Sequence, residues 1–553
     1  MKMKNLKRGI STTTAVGIVI LLIIIGLVAW YAATPKKEYK GLIMGTTDSV
    51  ETNLDPAEAY DYFGWEIIQA TGSGLVQIKP GTPHGAGAED IEPALATDWS
   101  VSDDGLTWTF NLRKGVKFSD GTEFNATHVK YSIDRGLSLA VPEGAFVGIG
   151  IGDIIDNVEV TDKYQVKFHL KIPFGPFLSL MASPVMYIVN PKYAPKDKVV
   201  SYVEGDARAS YPMDLGPYIL TNWTRKAGKD YEMRLEANPN YWAAKDGLPK
   251  TKKIIIKFYS DATALALAID SGDIDVAFRQ LKATDIEKFK EKTNVKVWQG
   301  TGAFIQYMIF QEKIKPFDDP RVRRAVAAAL NRTALAKTVF LGQVSNLYSL
   351  IPNGMMGHID AYKTLGDANY TYTRQVLSDP TIYGGPYDEN HKLVIDLYYE
   401  TSGHYPQSAD QAAVIKSSLE GSGVIQVNLH GLDWPAYRVK RGEENMPLYI
   451  YGWYPDYVDP DNYIYPFLHS SGSSWLHNNY HNEKMDSLIE QARASSDPKT
   501  REDLYKQIQE LMVEDAPIVP MFQGSAWAVT KPDVTGVYLD ISQVWRLWLL
   551  EKK

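Results

Sequence analysis

Alternation of apolar and polar residues is clearest in "LTWTFNLRKGVKF", residues 106–118. In its first half every second side chain is apolar, which is the period of a strand with one buried face. A Lys-Gly turn at 114–115 follows, and Val116 and Phe118 then predict a return strand. The same alternation in "VEVTDKYQVKFHL", residues 158–170, predicts a hairpin. This part of the chain is therefore expected to contain antiparallel strands.

Helical patterns alternate with strands further along the chain. The stretch "NATHVKYSIDRGL" (125–137) predicts a helix with Thr127 as its N-cap. "KKIIIKFYS" (252–260) predicts a buried strand, which the helix "DATALALAIDSG" (261–272) and the strand "DIDVAF" (273–278) follow. A strand–helix–strand succession of this kind favours a parallel sheet.

The strongest helical pattern is "DDPRVRRAVAAALNRTALAKTVFLG", residues 318–342. It predicts one long helix that Asp319 caps, that has Pro320 in its first turn, and that ends at Gly342. Two more amphipathic helices are predicted near the end of the chain, at 482–495 and 499–515. The fold class is therefore α/β with added antiparallel hairpins.

The N-terminal segment has a different pattern. Residues 9–33 contain no charged side chain, and a helix over 10–33 would span about 36 Å, enough to cross a bilayer core of about 30 Å. Four basic residues precede it: Lys2, Lys4, Lys7 and Arg8. The positive-inside rule then places residues 1–9 in the cytoplasm and the bulk of the chain on the extracytoplasmic face of the cell membrane, behind a single-pass anchor.

Two alternatives to an uncleaved anchor stay open. The apolar stretch is also compatible with a cleaved secretory signal, although "AWYAATPKK" offers only a weak cleavage site. The stretch "KRGIST" (7–12) resembles the processing site of archaeal prepilin-like signals, where cleavage removes the basic head and keeps the apolar helix. This resemblance also points to an archaeal source.

Composition excludes several functions. The chain of 553 residues is long enough for two or more domains. It has no cysteine, which excludes disulfides, thiolate catalysis and a lipidated cysteine anchor. The formal net charge is −8, and most of the basic clustering lies in the N-terminal head, so the body has no electrostatic footprint for nucleic acid.

Motifs of catalysis and metal binding are lacking. The sequence has no phosphate-binding Walker loop, no Gly-x-Ser-x-Gly elbow and no His-Glu-x-x-His. His469, His477 and His481 lie among Gly, Ser and Asn, which indicates a loop, and no acidic third ligand is evident. The aspartates of "YGWYPDYVDPDNY" (451–463) lack the Gly and terminal Glu of a calcium loop. No catalytic residue, metal ligand or cofactor is predicted, and a hydrolase with spatially paired carboxylates is only a minor alternative.

A family resemblance spans most of residues 41–548. The block "LATDWSVSDDGLTWTFNLRKGVKFSDGTEFNATHVKYSIDR" (95–135) closely resembles the signature of the extracellular solute-binding proteins of the dipeptide/oligopeptide class, family 5. These proteins serve ABC importers. Further blocks resemble the same family: "NLDPAEAYD" (53–61), "LGPYIL" (215–220), "ANPNYW" (237–242), "KPFDDPRVRRAVAAALNR" (315–332) and "REDLYKQIQELMVEDAPIVPMF" (501–522).

The resemblance implies a two-lobed α/β fold like that of the periplasmic binding proteins of type II. Within that type it implies the large cluster whose members carry an extra inserted domain. In this chain one N-terminal transmembrane helix is expected to precede the fold. The lobes are expected to close over the ligand about a hinge. The family has no catalytic activity, and its partners are membrane permease subunits with cytoplasmic ATPases. A monomeric ectodomain is expected. The implied boundaries are 41–80, 211–299 and 516–553 for domain I, 81–210 for the inserted domain II, and 300–515 for domain III, the second lobe.

The resemblance also suggests a binding site. In the peptide binders of the family, a Gly-Trp-x-x-Asp block precedes an Asp-Pro, and its aspartate pairs with the ligand's α-amino group. Here Gly452, Trp453 and Asp456 match that block, and Asp459 precedes a proline. The predicted ligand-binding residues are Asp456, Trp453, Gly452 and Tyr454 from this block, and Tyr60, Tyr62 and Phe63 from the N-terminal segment.

One departure leaves the ligand open. Dipeptide binders have an upstream arginine that clamps the ligand's carboxylate, but "YYETSGHYPQS" (398–408), where it would fall, has none. Peptides remain the leading ligand, and oligosaccharides, which some archaeal members bind, are the alternative, because tryptophan and tyrosine faces with carboxylates also suit sugars. A surface sensor or adhesin without a permease is an alternative of another class.

Overall fold

The computed structural model describes residues 41–553 except 83–89, 280, 403, 540 and 543–544. The predicted membrane segment at 10–33 lies outside the described residues and stays a prediction. Among the residues that are described, no helix combines the length and apolar character needed to cross a membrane.

The described chain contains strands throughout its length. In chain order, β1–β19 are Leu42–Thr46, Val76–Ile78, Ile91–Pro93, Ala96–Val101, Thr107–Leu112, Ile155–Asp162, Gln165–Leu170, Tyr218–Lys226, Lys229–Ala237, Lys253–Phe258, Val276–Phe278, Lys296–Phe310, Ser345–Asn346, Leu393–Glu400, Ile425–Leu432, Leu448–Trp453, Ile518–Thr530, Val534–Thr535 and Glu551–Lys552.

Helices are interleaved with these strands. In chain order, α1–α15 are Tyr62–Thr71, Ala126–Leu139, Ala145–Gly148, Ile151–Ile154, Phe177–Met181, Ala262–Asp270, Ala283–Lys290, Pro320–Ala329, Arg332–Phe340, Tyr370–Leu377, Ser408–Glu420, Trp434–Gly442, Asp461–Leu468, Glu483–Ala494 and Pro498–Asp515.

One mixed sheet runs through the molecule in the order β15-β14-β16-β12-β17-β11-β1-β10-β9-β8, with β13 beside β17. Its strand β1 lies between β10 and β11 and is parallel to both. The strand–helix–strand unit over 252–278 therefore does contribute parallel strands, but β1 separates its two strands. A separate antiparallel sheet has the order β4-β5-β7-β6.

Two large hydrophobic cores define the two lobes. The first lobe packs around residues between 42 and 278 together with the C-terminal stretch 528–550. The second lobe packs around residues between 303 and 522. The predicted domain boundaries within these lobes stay a prediction.

Two long antiparallel strands pass from one lobe into the other. Residues 296–301 of β12 pair with β17 in the first lobe, and residues 305–309 pair with it in the second. The register of this pair shifts between Thr301 and Ile305. There the side-chain amide of Gln523 donates to the carbonyl of Gly302 at 2.7 Å. An interrupted ladder is a place where two strands can bend, so these two strands are the candidate hinge between the lobes.

Most of the predicted elements are present. The strand β5 buries Trp108, Phe110 and Leu112, and β6 and β7 form the predicted hairpin. Asp261 caps α6 through the backbone amides of Thr263 and Ala264.

Two local details of the prediction are wrong, and the length of one predicted helix is also wrong. No return strand forms at Val116 and Phe118, where the backbone makes only an isolated bridge between Lys117 and Glu123. The cap of α2 is Asn125 and not Thr127, because the Asn125 side chain accepts the Thr127 amide and completes a capping box.

The long helix predicted at 318–342 is in fact two helices, α8 and α9. Leu330 leaves the helical conformation, and the Asn331 side chain then caps the second helix by accepting the amide of Ala334. The break places Arg332 in the core, where it pairs with Asp367 at 2.7 Å. A contact 35 residues away in sequence thus overrides a continuous helical pattern.

Candidate functional site

The segment from Tyr454 to Tyr457 lies between the lobes. It leaves the end of β16 and precedes α13, both in the second lobe. Two first-lobe side chains hold its backbone: the Tyr62 hydroxyl donates to the carbonyl of Pro455 at 3.1 Å, and the Ser183 hydroxyl donates to the carbonyl of Asp456 at 2.8 Å. The lobes are therefore closed on this segment.

Asp456 is a buried carboxylate in this interface, with 9% of its surface exposed. The side chain of Asn462 donates to it at 3.2 Å, and the hydroxyl of Tyr60 in the first lobe also hydrogen-bonds to it. Burial raises the pKa of Asp456 to about 7, although both hydrogen bonds act to lower it. Among the described residues no cation pairs with this carboxylate.

Asn462 fixes the orientation of Asp456. Its side-chain oxygen accepts both the backbone amide of Asp456 at 2.8 Å and the indole N–H of Trp453 at 3.0 Å. Its amide nitrogen is then left to donate to the carboxylate. The Trp453 ring packs edge-on against Phe467 in the second lobe, so Trp453 positions Asn462.

Two other carboxylates of the cleft wall, Asp48 and Glu66, share one cation. Arg279 pairs with Asp48 at 2.6 Å and with Glu66 at 3.2 Å, and its guanidinium lies 5.7 Å from the ring of Tyr62. Burial raises the pKa of Glu66 to about 8, and Arg279 limits that rise. Asp456 differs from Glu66 in having no cation partner among the described residues.

A second group of contacts joins the lobes beside Asp456. The Tyr457 side chain belongs to the second lobe but packs in the core of the first, with its ring 6.3 Å from that of Phe174. Next to it, the backbone amide of Gly175 donates to the carbonyl of Arg493 at 2.7 Å. The Arg493 guanidinium also lies over Phe174, at 5.2 Å. Phe174 and Gly175 of the first lobe thus contact Tyr457 and Arg493 of the second.

A cavity of about 30 Å³ lies between these contacts. Both lobes line it, and its polar lining residues include Tyr62, Gln69, Ser183, Asp456, Ser542 and Arg546. It therefore brings a carboxylate of the second lobe and a guanidinium of the first lobe to one enclosed space.

The predicted site residues fall in different places. Tyr62 and Asp456 line the cavity, and the ring of Tyr454 lies 4.8 Å from that of Tyr62. Tyr60 reaches the Asp456 carboxylate. Phe63, by contrast, packs against the ring of Phe258 in the core of the first lobe, at 5.3 Å.

Gly452 is a packing position. A Cβ there would lie 2.7 Å from the ring of Phe304 and 2.9 Å from that of Tyr405. The Tyr405 hydroxyl also donates to the Gly452 carbonyl, at 3.2 Å. Glycine therefore lets two aromatic rings approach the end of β16.

The segment 398–408, which lacks the expected arginine, is held by a glutamate. The Glu400 carboxylate accepts the backbone amide of Tyr405 and the hydroxyl of Ser408, both at 2.8 Å. Ser183, Asn462 and Arg546 were missed by sequence reasoning. Asn462 follows the Asp-Pro of the motif and could have been found, whereas nothing near Arg546 in sequence indicates a site.

The histidines do not gather into a metal centre. His469 faces Glu490 at 3.4 Å, while His481 contacts Ser470 at 2.5 Å. Within the described residues no cluster of three His, Asp or Glu side chains could hold a metal ion.

Comparison with known proteins agrees with the two-lobed architecture. The model of the bacterial extracellular solute-binding proteins, family 5 (middle), matches residues 90–475, more than half of the chain. Di/tripeptide-binding protein 2 of Pseudomonas aeruginosa is 29% identical over 484 residues, which covers 81% of this chain and 84% of the relative. Heme-binding protein A of Haemophilus influenzae is 27% identical over 482 residues, covering 84% and 83%.

A solved structure has the same fold. The periplasmic binding protein DppA of Helicobacter pylori, which is associated with an ABC transporter and was solved with the peptide STSA, superposes with a TM-score of 0.74 at 26% identity. The match covers 93% of this chain and 98% of that one. The two-lobed α/β architecture is therefore that of periplasmic binding proteins. The chain belongs to the bacterial extracellular solute-binding proteins of family 5, which are binding proteins and not enzymes.

Proposed function

We propose that the protein is an extracytoplasmic binding protein that captures peptides between its two lobes and delivers them to an ABC importer. The observation that carries this proposal is the buried carboxylate of Asp456 at the lobe interface. The peptide bound by the Helicobacter relative and the name of the Pseudomonas relative support the ligand class.

The electrostatics of Asp456 favour an ammonium group as its partner. An ionised carboxylate that loses water without gaining a cation is destabilised, and burial therefore raises the pKa of Asp456 to about 7. A peptide α-ammonium would supply the missing cation and form a charge-assisted hydrogen bond, which is about twice as strong as a neutral one. Tyr60 and Asn462 hold the carboxylate in place for that contact.

The rest of the site suits the peptide backbone and side chains. The rings of Tyr62 and Tyr454 offer apolar faces beside the cavity. Closure of the lobes would remove the ligand from water and strengthen its polar contacts. Opening at the interrupted strand pair near Thr301 would then release the ligand to the permease.

The same aromatic faces favour an oligosaccharide as the second candidate ligand. Tyr454 is stacked on Phe304 with the ring centroids 4.5 Å apart, and its position next to Tyr62 suits the apolar face of a sugar ring. Asp456 would then accept hydroxyl hydrogen bonds. A neutral sugar would leave the carboxylate without a cation, and for this reason the peptide is preferred.

The membrane arrangement belongs to the same proposal. Residues 10–33 would anchor the chain, with the lobes on the extracytoplasmic face, and an archaeal source stays a prediction. Carbonate extraction followed by N-terminal sequencing tests the anchor, and a mature start near Thr34 would disprove it. Neighbouring genes for a permease and ATPases are expected; a lone gene would favour a surface sensor or adhesin.

Mass spectrometry of the ligand that purifies with the full-length chain tests the ligand class. Masses that are sums of amino-acid residues are expected after denaturation of the protein. A series of masses separated by hexose units would overturn the peptide proposal and establish the sugar.

A further inference from the structure

The chain contains four Asn-x-Thr triplets, at 125–127, 222–224, 331–333 and 369–371. This triplet is the acceptor of N-linked glycosylation, which attaches a bulky, solubilising oligosaccharide to the asparagine of a protein outside the cytoplasm. Triplets of this kind also arise by chance in a chain of this length, so the sequence alone selects none of them. The four differ in their secondary structure and in what the asparagine side chain contacts.

Three of the triplets lie at helix starts, where the side-chain oxygen of the asparagine accepts a backbone amide of the first turn. They are the triplets of Asn125, Asn331 and Asn369. In the first, the Thr127 hydroxyl donates to the side-chain oxygen of Asn125 at 2.6 Å and does not face its nitrogen. In the second, the middle residue, Arg332, lies in the core. In the third, the Asn369 nitrogen is already used, because it donates to the carbonyl of Leu365 at 2.9 Å.

The triplet at 222–224 lies instead in the extended strand β8. Its middle residue, Trp223, is 3% exposed and packs against Tyr202 with the ring centroids 4.9 Å apart. Because successive side chains of a strand point to opposite faces, Asn222 and Thr224 share the face that Trp223 does not. There the side-chain nitrogen of Asn222 donates to the hydroxyl of Thr224 at 3.0 Å. The two groups that define the acceptor triplet are thus already side by side.

This face of β8 is open to solvent. On the neighbouring strand β9, Arg234 lies opposite Asn222 and Glu232 lies opposite Thr224. These two side chains form a surface ion pair at 2.7 Å, with that of Arg234 56% exposed. A group attached to the Asn222 nitrogen would therefore extend into water without displacing the core.

The position of β8 in the sheet gives such a group a use. β8 is the last strand of the main sheet, and no described strand pairs with its outer edge. An open edge can pair with a strand of another chain, and proteins outside the cytoplasm gain solubility when such an edge is shielded. An oligosaccharide on Asn222 would cover this edge.

We propose that Asn222 is a site of N-linked glycosylation. The donor is an oligosaccharide held through its anomeric carbon on a polyprenyl phosphate or diphosphate. The Asn222 side-chain nitrogen forms a bond to that carbon and loses one proton, while the bond from the carbon to the phosphate oxygen breaks and the polyprenyl phosphate or diphosphate leaves. This inference rests on the proposed extracytoplasmic location and adds a modification to the proposed capture of peptides.

The modification is compatible with ligand capture. In the order of the main sheet, β8 is five positions from β17, one of the two strands that join the lobes. At about 4.8 Å between neighbouring strands, this places Asn222 about 24 Å from the candidate hinge. The oligosaccharide would therefore leave the cleft open.

Mass spectrometry of proteolytic peptides tests the site on the full-length protein purified from its own cells. We expect the peptide that contains Asn222 to carry an added mass that fragments into sugar units, and the peptides of the other three triplets to be unmodified. Thr224→Ala keeps the asparagine but breaks the triplet, so the added mass should be lost, whereas Thr224→Ser should keep it. The matched control is Thr371→Ala, an exposed position whose triplet is not expected to be used. It should leave the added mass on Asn222 unchanged.

An added protease on spheroplasts measures the location separately. If the protease cleaves the chain but Asn222 is unmodified, the glycosylation proposal fails and the extracytoplasmic location stands. If the chain is cleaved only after lysis, the extracytoplasmic location fails, and glycosylation fails with it. An oligosaccharide on Asn125, Asn331 or Asn369 in place of Asn222 would overturn the choice of site.

Discussion

Closure of the lobes depends on a glycine that faces the opposite lobe, and Gly175→Ala tests this dependence. Gly175 lies in the first lobe, and its amide donates to the Arg493 carbonyl of the second lobe at 2.7 Å. A Cβ added to Gly175 would lie 2.2 Å from the backbone oxygen of Ser495, also in the second lobe. The substitution therefore places a methyl group in the interface between the lobes.

The size of the effect follows from this distance. Ordinary contacts of a Cβ begin at 3.4 Å, so the two backbones would have to separate by about 1 Å. Overpacking of this kind costs about 1–3 kcal/mol, and weakening of the hydrogen bond at Gly175 adds about 1 kcal/mol. If peptide binding requires closure, the total of about 2–4 kcal/mol should lower affinity about thirtyfold to nearly a thousandfold. The first lobe alone gains no clash with Ser495, so the fold of the open protein should persist.

Titration calorimetry with a peptide ligand and small-angle X-ray scattering measure the two consequences. Gly175→Ala should bind more weakly and keep a larger radius of gyration at saturating peptide. The matched control is Gly442→Ala at the end of α12, where an added Cβ meets nothing within 4 Å. Wild-type affinity in Gly175→Ala, or an equal loss in Gly442→Ala, would refute the closure argument.

Three further predictions concern the charges around the cleft. Burial raises the pKa of Asp456 from 3.8 to about 7. Protonation of Asp456 therefore stabilises the closed, ligand-free form fully below pH 3.8, and this stabilisation is lost as the pH rises through about 7. Small-angle X-ray scattering should show a larger closed fraction at pH 5 than at pH 8. Tyr60→Phe removes a hydrogen bond to that carboxylate and should weaken peptide binding by about 1 kcal/mol in calorimetry. Arg501→Met breaks a buried pair with Asp459 whose N···O distance is 2.5 Å, and should lower the free energy of unfolding in urea by about 3–5 kcal/mol.

Each of these predictions has its own control. Burial also raises the pKa of Asp61 to about 7 and that of Glu66 to about 8, so the contribution of Asp456 is the difference between the wild type and Asp456→Asn. If the closed fraction depends on pH identically in the two proteins, the predicted contribution of Asp456 is contradicted. For Tyr60→Phe the contrary result is unchanged affinity, and for Arg501→Met it is unchanged stability in urea.

Local patterns predicted most of the elements because their signals lie within a few residues. The alternation at Trp108, Phe110 and Leu112 and the cap at Asp261 need no distant partner. The break at Leu330 could not be predicted in the same way, because it depends on the burial of Arg332 against a residue far along the chain.

The candidate site was predictable in part for the same reason. Asp456 lies in a recognisable local block, and the tyrosines at 60 and 62 lie in another. Ser183 and Arg546 reach the cleft from segments with no distinctive pattern, and only the folded chain brings them to Asp456. Phe63 follows the two tyrosines in sequence but lies in the core, because successive helical residues point about 100° apart.

The central claim is that Asp456 binds the α-ammonium group of a peptide, and N-acetylation of the ligand tests it most directly. Calorimetry should compare one peptide with a free amine and its N-acetylated form on the wild type and on Asp456→Asn. We predict that acetylation weakens binding to the wild type at least tenfold and changes binding to Asp456→Asn little. Equal affinity of the free and acetylated peptides for the wild-type protein would contradict the claim.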